Sequence, residues 1–91
     1  MYYIYIIKNK SGEIYTGVTH NLEKRLYYHN TRQGANFTKA HQGNFALAFK
    51  EEYNNLAEAR QREIQIKKWS KDKKEVLIEK FTKGLPTKVK N

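Results

Sequence analysis

The chain has no cysteine among its 91 residues, which excludes disulfides, thiol chemistry and cysteine-ligated zinc and fits a reducing interior. Long apolar runs are missing too. The opening MYYIYIIKNK falls well short of the roughly 20 apolar residues of a membrane-spanning helix. That start also lacks the leading positive charges and cleavage-site pattern of a secretory signal, so a cytoplasmic protein without a membrane partner is expected. Acidic residues are scarce, with 9 Asp+Glu against 18 Lys+Arg and a formal net charge of +9. Such an imbalance favours a polyanionic partner, nucleic acid above all. No repeat or low-complexity segment is visible, and the length suits one domain with a small core and no second module.

What is present falls into alternating strand and helix patterns. Tyr2 to Ile7 and Glu13 to Thr19 are rich in Tyr, Ile and Val and flank KNKSG, which reads as the loop of a β-hairpin. Symmetric closure around that loop sets Tyr5 opposite Tyr15. Period-two alternation then places Tyr3, Tyr5, Tyr15 and Gly17 on one face, with Ile4, Ile6, Ile14, Thr16 and Val18 on the other as core. Asn21 and Glu23 read as the N-cap and first-turn carboxylate of a helix from about Leu22 to Asn30 or Thr31. Leu22 and Leu26 mark its buried stripe, and Arg25 and His29, one turn apart, share a face beside it. TRQGANFTKAHQGN has no sustained period and reads as a loop. In FALAFKEEY, Phe45, Leu47 and Phe49 alternate with alanines as one buried face of a third strand.

Asn55 with Glu58 forms a capping-box pattern opening a helix in NNLAEARQREIQIKKW. Ser70 caps a further helix, whose Val76, Leu77, Ile78 and Phe81 turn inward before Gly84 and Pro86 stop it. The expected architecture is α+β: a single domain with a three-stranded antiparallel sheet flanked by about three helices over residues 1–83, and a basic, flexible tail over residues 84–91.

On a helical wheel Leu56, Ala59 and Ile66 form an apolar arc, and Glu63 falls inside it. A carboxylate there either pairs with Lys67 one turn on, a surface contact worth a few tenths of a kcal/mol, or turns toward the sheet as a ligand for a hard cation. Taken singly, Tyr5 and Tyr15 fit a hairpin-stabilising aromatic pair, Arg25 and His29 a solvated helix face, and Gly17 a strand bulge.

In their order and spacing these pieces say more. YIY (Tyr3-Ile4-Tyr5), YTG (Tyr15-Thr16-Gly17), NLEKRLYYH with Arg25 and His29, and EARQREIQIKKW with Glu63 make the chain, from Tyr3 to about Ile78, resemble the GIY-YIG nuclease domain. The likeness is to its small stand-alone members related to the catalytic module of the excinuclease C subunit. Tyr3 stands where the first motif has Gly, and Thr16 where the second has Ile. The late Asn of related domains has no counterpart in KDKKEV.

The resemblance implies an α+β nuclease that cuts DNA with one divalent metal per site, Mg²⁺ or Mn²⁺. It implies active-site residues Tyr5, Tyr15, Arg25 and Glu63, with Glu63 as the metal ligand and His29 at a position that is His in many members. The expected target is structured or damaged duplex, in DNA repair or recombination. The protein is expected to be a monomer, with a protein partner as one source of specificity.

The residue types suit that chemistry. Phosphodiester hydrolysis builds negative charge on non-bridging and leaving oxygens, which a fixed guanidinium and a metal stabilise. A free tyrosine titrates near about 10, so Tyr15 serves as general base only where Arg25 and the metal favour its phenolate; His29 is poised nearer neutral pH. The competing expectations are a non-catalytic nucleic-acid-binding module on the same scaffold and a basic ribosome-associated structural protein.

Overall fold

The computed structural model describes residues 1–30 and 45–88. The expected hairpin forms from β1 (Tyr2–Lys8) and β2 (Ile14–Thr19), paired antiparallel. Its closure is not symmetric about KNKSG: Tyr5 pairs with Gly17, and Tyr15 with Ile7. The turn's own bonds set this register. The Asn9 amide donates to the Glu13 carbonyl (3.1 Å), the Glu13 amide donates to Asn9 Oδ1 (2.9 Å), and Gly12 takes the left-handed conformation (φ +83°) that the reversal needs. The turn is thereby centred one residue later. Because pairing shifts by two residues, every side chain keeps its expected face.

The strand order is β2-β1-β3, with β3 (Ala46–Tyr53) antiparallel to the central β1. Ile6 pairs with Phe49 but Ile7 pairs with Leu47, so Ala48 is an extra residue, a β-bulge. The bulge corrects the expectation of one buried face in β3. Phe45 packs with Tyr5 and Ile7 on one side of the sheet, whereas Phe49 joins Ile4 and Ile6 on the other, and Leu47 is exposed.

Each sheet face is covered by helix. Helix α1 (Leu22–Asn30) lays Leu22 and Leu26 against Tyr5, Ile7 and Phe45. It starts where Asn21 Oδ1 accepts the Lys24 amide (3.0 Å) and is tied at its far end to β3 by a two-bond clamp between Asn30 and the Phe45 backbone (2.9 Å each). Helices α2 (Leu56–Lys67) and α3 (Lys71–Thr82) pack Ala59, Ile66 and Leu77 on the Ile4, Ile6 and Phe49 face. Their caps are the expected ones, Asn55 accepting from the Glu58 amide and Ser70 from the Lys73 amide. Two expected core positions, Leu56 and Val76, are exposed at the helix margins.

The same face buries an ion pair that the sequence pattern did not flag. Arg62 Nε and Nη2 donate to the two Glu51 carboxylate oxygens at 3.0 Å each, and Nη2 also donates to the Thr87 carbonyl (3.0 Å). Within the segment expected to be a flexible tail, Lys88 donates to the Glu52 carbonyl and its Nζ lies 4.1 Å from the Tyr53 ring centroid. No helix among the described residues is long and apolar enough to cross a membrane. The loop expected over TRQGANFTKAHQGN, with Arg32 and Lys39, lies outside the described residues.

Candidate active site

The five residues picked out in the sequence come from four elements, β1, β2, α1 and α2, that meet beside the β2 edge. Tyr5 projects from the central strand toward α1, and its ring lies across Gly17 of β2. A Cβ built at Gly17 would sit 2.6 Å from Tyr5 Oη and 2.7 Å from its Cζ. The β1–β2 register is unbroken there, so Gly17 is not a bulge but the seat that lets the phenol lie flat on the neighbouring strand.

His29, in the last turn of α1, is only 1% exposed, and its Nε2 is 2.8 Å from Tyr5 Oη. The Tyr15 ring packs on the imidazole with centroids 4.9 Å apart and lies 6.4 Å from the Tyr5 ring. Arg25, one turn before His29, is half-buried, and its guanidinium carbon is 5.6 Å from the Tyr28 ring centroid. Tyr5 and His29 therefore form the buried floor, while Arg25 and Tyr15 reach further toward solvent.

Electrostatics assigns the protons. Burial pushes the Tyr5 phenol well above the ordinary tyrosine range, reinforced by Tyr15 and Glu63 and opposed by Arg25. Burial, with the Arg25 charge adding to it, depresses His29 below the ordinary 6.5. At pH 7 the contact thus joins a protonated phenol to a neutral imidazole, an arrangement with one movable proton between two heavy atoms.

Glu63 lies on the sheet-facing stripe of α2 between Ala59 and Ile66, with its side chain 9% exposed. The pairing with Lys67 forms (3.2 Å), but from a buried carboxylate rather than at the surface, and beyond what the pattern suggested Arg60 joins it (3.0 Å). The side chains of those cations are 57% exposed for Arg60 and 50% for Lys67, so each can swing away. Lys67 Nζ is also 6.0 Å from the Tyr15 ring centroid, which joins the carboxylate to the aromatic cluster.

Among the described residues no three His, Asp or Glu side chains converge as a metal cage. A lone buried carboxylate instead fits a small hard cation such as Mg²⁺, which keeps most of its waters and needs one or two protein carboxylates plus a substrate phosphate. Of the remaining site neighbours, Tyr28 and Arg60 were not singled out in the sequence. Their only sequence signal is spacing, Tyr28 being three residues after Arg25 and Arg60 three before Glu63.

The family model described as the GIY-YIG catalytic domain matches residues 1–76. The chain is similar to a UPF0213 protein of Staphylococcus saprophyticus, 43% identical over 77 residues that cover 85% of this chain and 93% of the relative. It is also similar to a UPF0213 protein of Clostridium perfringens, 44% identical over 78 residues, covering 86% of this chain and 83% of the relative. The solution NMR structure of the UPF0213 protein BH0048 from Bacillus halodurans aligns with a TM-score of 0.55 and 34% identity, covering 87% of this chain and 84% of that one. The sheet order, the paired tyrosine strands and this match over most of the sequence place the chain in the GIY-YIG catalytic domain family.

Proposed function

We propose that this chain is a divalent-metal-dependent endonuclease that hydrolyses DNA phosphodiester bonds, with structured or damaged duplex as substrate and DNA repair or recombination as its setting. The GIY-YIG family is one of nucleases that act on DNA. The observation that carries the reading for this chain is the buried Tyr5–His29 contact of 2.8 Å, set beneath Arg25 and within electrostatic reach of Glu63.

In this reading Arg25 grips the scissile phosphate, since a planar guanidinium can hold two phosphate oxygens through parallel hydrogen bonds and stays charged throughout. Half-buried Tyr15 stands beside it and positions the same phosphate. Glu63 would hold the divalent cation, which when bound would supply Lewis-acid stabilisation of charge on the phosphate and leaving oxygens. Arg60 and Lys67, whose side chains are half exposed or more, would then share the carboxylate with it. Tyr5 is a poor base on its own, because burial disfavours its phenolate. It becomes an effective one by relay: Tyr5 Oη takes a proton from the attacking water while its own passes to His29 Nε2, which is neutral and able to receive it.

The pH dependence of kcat/KM tests the relay, because that quantity reports ionisations of the free enzyme. Activity should be flat around pH 7 and fall once pH drops through a midpoint below 6.5, the ordinary histidine value. An acid limb centred above 6.5, or one near tyrosine's value of about 10, would remove His29 as the acceptor. Stability should follow the same sign. Between 6.5 and the depressed native value the unfolded chain binds a proton that the folded chain does not, so the fold weakens as pH falls through that window.

A further inference from the structure

Next to the active site, where β2 runs into α1, Thr19, His20, Asn21, Lys24, Arg25 and Tyr28 enclose a recess of about 310 Å³. Arg25 belongs to both places, yet the proposed chemistry makes no use of His20, Lys24 or Tyr28. The floor is fixed: the buried Thr19 hydroxyl accepts the Asn21 amide (3.1 Å) and donates to the Asn21 carbonyl (3.3 Å), while the Asn21 side chain caps α1. Tyr28 is exposed and carries the Arg25 guanidinium over its ring, and His20 stands edge-on to Tyr2 with centroids 6.4 Å apart. The floor is thus held by Thr19 and Asn21, and the exposed His20, Lys24 and Tyr28 form the walls.

Its lining selects a ligand class. None of the six residues is acidic, so a cation finds little here, while the tyrosine ring and the lysine and arginine stems offer apolar surface beside charge. Two cations, a tyrosine and a histidine are what a nucleotide uses, with base stacking on an aromatic ring or guanidinium plane and phosphate meeting Lys or Arg. The volume sits at the small end of ligand pockets, about 300–1,000 Å³, which suits one nucleotide and not a duplex. A paired base inside a duplex cannot enter such a recess.

We propose that this recess receives one unpaired nucleotide of the DNA strand, adjoining the phosphate held by Arg25, so that the protein selects DNA with a bulged, mismatched or otherwise unstacked nucleotide beside the cut. The proposal rests on the reading that the Arg25 site faces DNA. Tyr28 and Arg25 form the stacking surface, Lys24 meets the flanking phosphate, and His20 contacts the base edge. Extruding a nucleotide costs least where it is already unpaired, so the recess converts local duplex damage into affinity.

Equilibrium binding of the full chain in EDTA to two fluorescent hairpin DNAs, identical except for one bulged nucleotide, tests this without cleavage. The wild type should bind the bulged hairpin about tenfold more tightly, in line with one added base–aromatic stack. Tyr28→Leu should reduce that ratio to about twofold or less and Tyr28→Phe should keep it, while His20→Ala provides a second, independent reduction. Equal affinity of the wild type for both hairpins overturns the proposal, as does a ratio unchanged in both Tyr28→Leu and His20→Ala. A wild type that cuts DNA but binds both hairpins equally defeats the recess alone. A wild type that prefers the bulged hairpin but cuts no DNA in Mg²⁺ defeats the nuclease reading alone.

Discussion

Gly17→Ala should slow DNA cleavage by about a hundredfold or more, because displacing a reacting group by about 1 Å can cost that much. The added methyl would stand 2.6 Å from Tyr5 Oη, 2.7 Å from Cζ and 3.0 Å from Cε1, far inside contact distance. The phenol is buried and wedged between β2 and α1, so it cannot swing into solvent; it must shift and take Oη away from His29 Nε2. Overpacking of this kind costs roughly 1–3 kcal/mol of stability, small beside the loss of rate. Two of the three close atoms are ring carbons, so adding Tyr5→Phe should not restore stability. Single-turnover cleavage with thermal melting of the single and double variants checks both parts, and wild-type cutting by Gly17→Ala would show that the Tyr5 position is dispensable.

Arg62→Met should carry the largest penalty to the fold, roughly 3–5 kcal/mol, against a total stability of about 5–15 kcal/mol for a small domain. Arg62 makes two 3.0 Å bonds to Glu51, with both residues buried, and further bonds to Gln65 (2.8 Å) and the Thr87 carbonyl. Its guanidinium also lies 5.3 Å from the Trp69 ring centroid. Methionine fills much of the same space but leaves the Glu51 charge buried with the Tyr53 hydroxyl as a donor (2.8 Å). Burial resists ionisation of Glu51, and the bonds led by Arg62 outweigh it to hold its pKa below the ordinary carboxylate value. That contribution is present at neutral pH and is lost as pH falls through the depressed value. Arg62→Met with Glu51→Gln should recover most of the loss, since the isolated charge is gone. Urea denaturation distinguishes these results, and a loss below about 1 kcal/mol for Arg62→Met would mean that the pair contributes little.

The parts of the fold that the sequence made legible are those written in local chemistry. The hairpin faces follow from strict alternation and survive the two-residue error in register, while Asn21, Asn55 and Ser70 announce their helices because a capping side chain serves only its own first turn. The bulge at Ala48 left no mark, since no glycine or proline flags it, and so Phe45 and Phe49 were expected on one face although they pack on opposite ones. Arg62 and Glu51 looked like solvated charges because neither knows locally that α2 is packed over β3 with the other facing it. The motif resemblance named Tyr5, Tyr15, Arg25, His29 and Glu63. Only three-dimensional packing shows that Tyr5 rests on Gly17 and bonds His29, a residue 24 positions away.

Cleavage of plasmid and branched DNA by the wild type and Glu63→Gln, in Mg²⁺ and in EDTA, tests the metal-dependent site most directly. The amide keeps nearly the shape of the carboxylate but lacks the charge that holds a divalent cation, and loss of several kcal/mol of Lewis-acid stabilisation corresponds to a rate loss of about a hundredfold or more. The wild type should cut in Mg²⁺ and not in EDTA, and Glu63→Gln should bind DNA as tightly as the wild type while its cleavage falls to the EDTA background. Wild-type cutting by Glu63→Gln, or equal cutting by the wild type in Mg²⁺ and EDTA, would contradict the site: Glu63 would then be no more than the buried partner of Arg60 and Lys67.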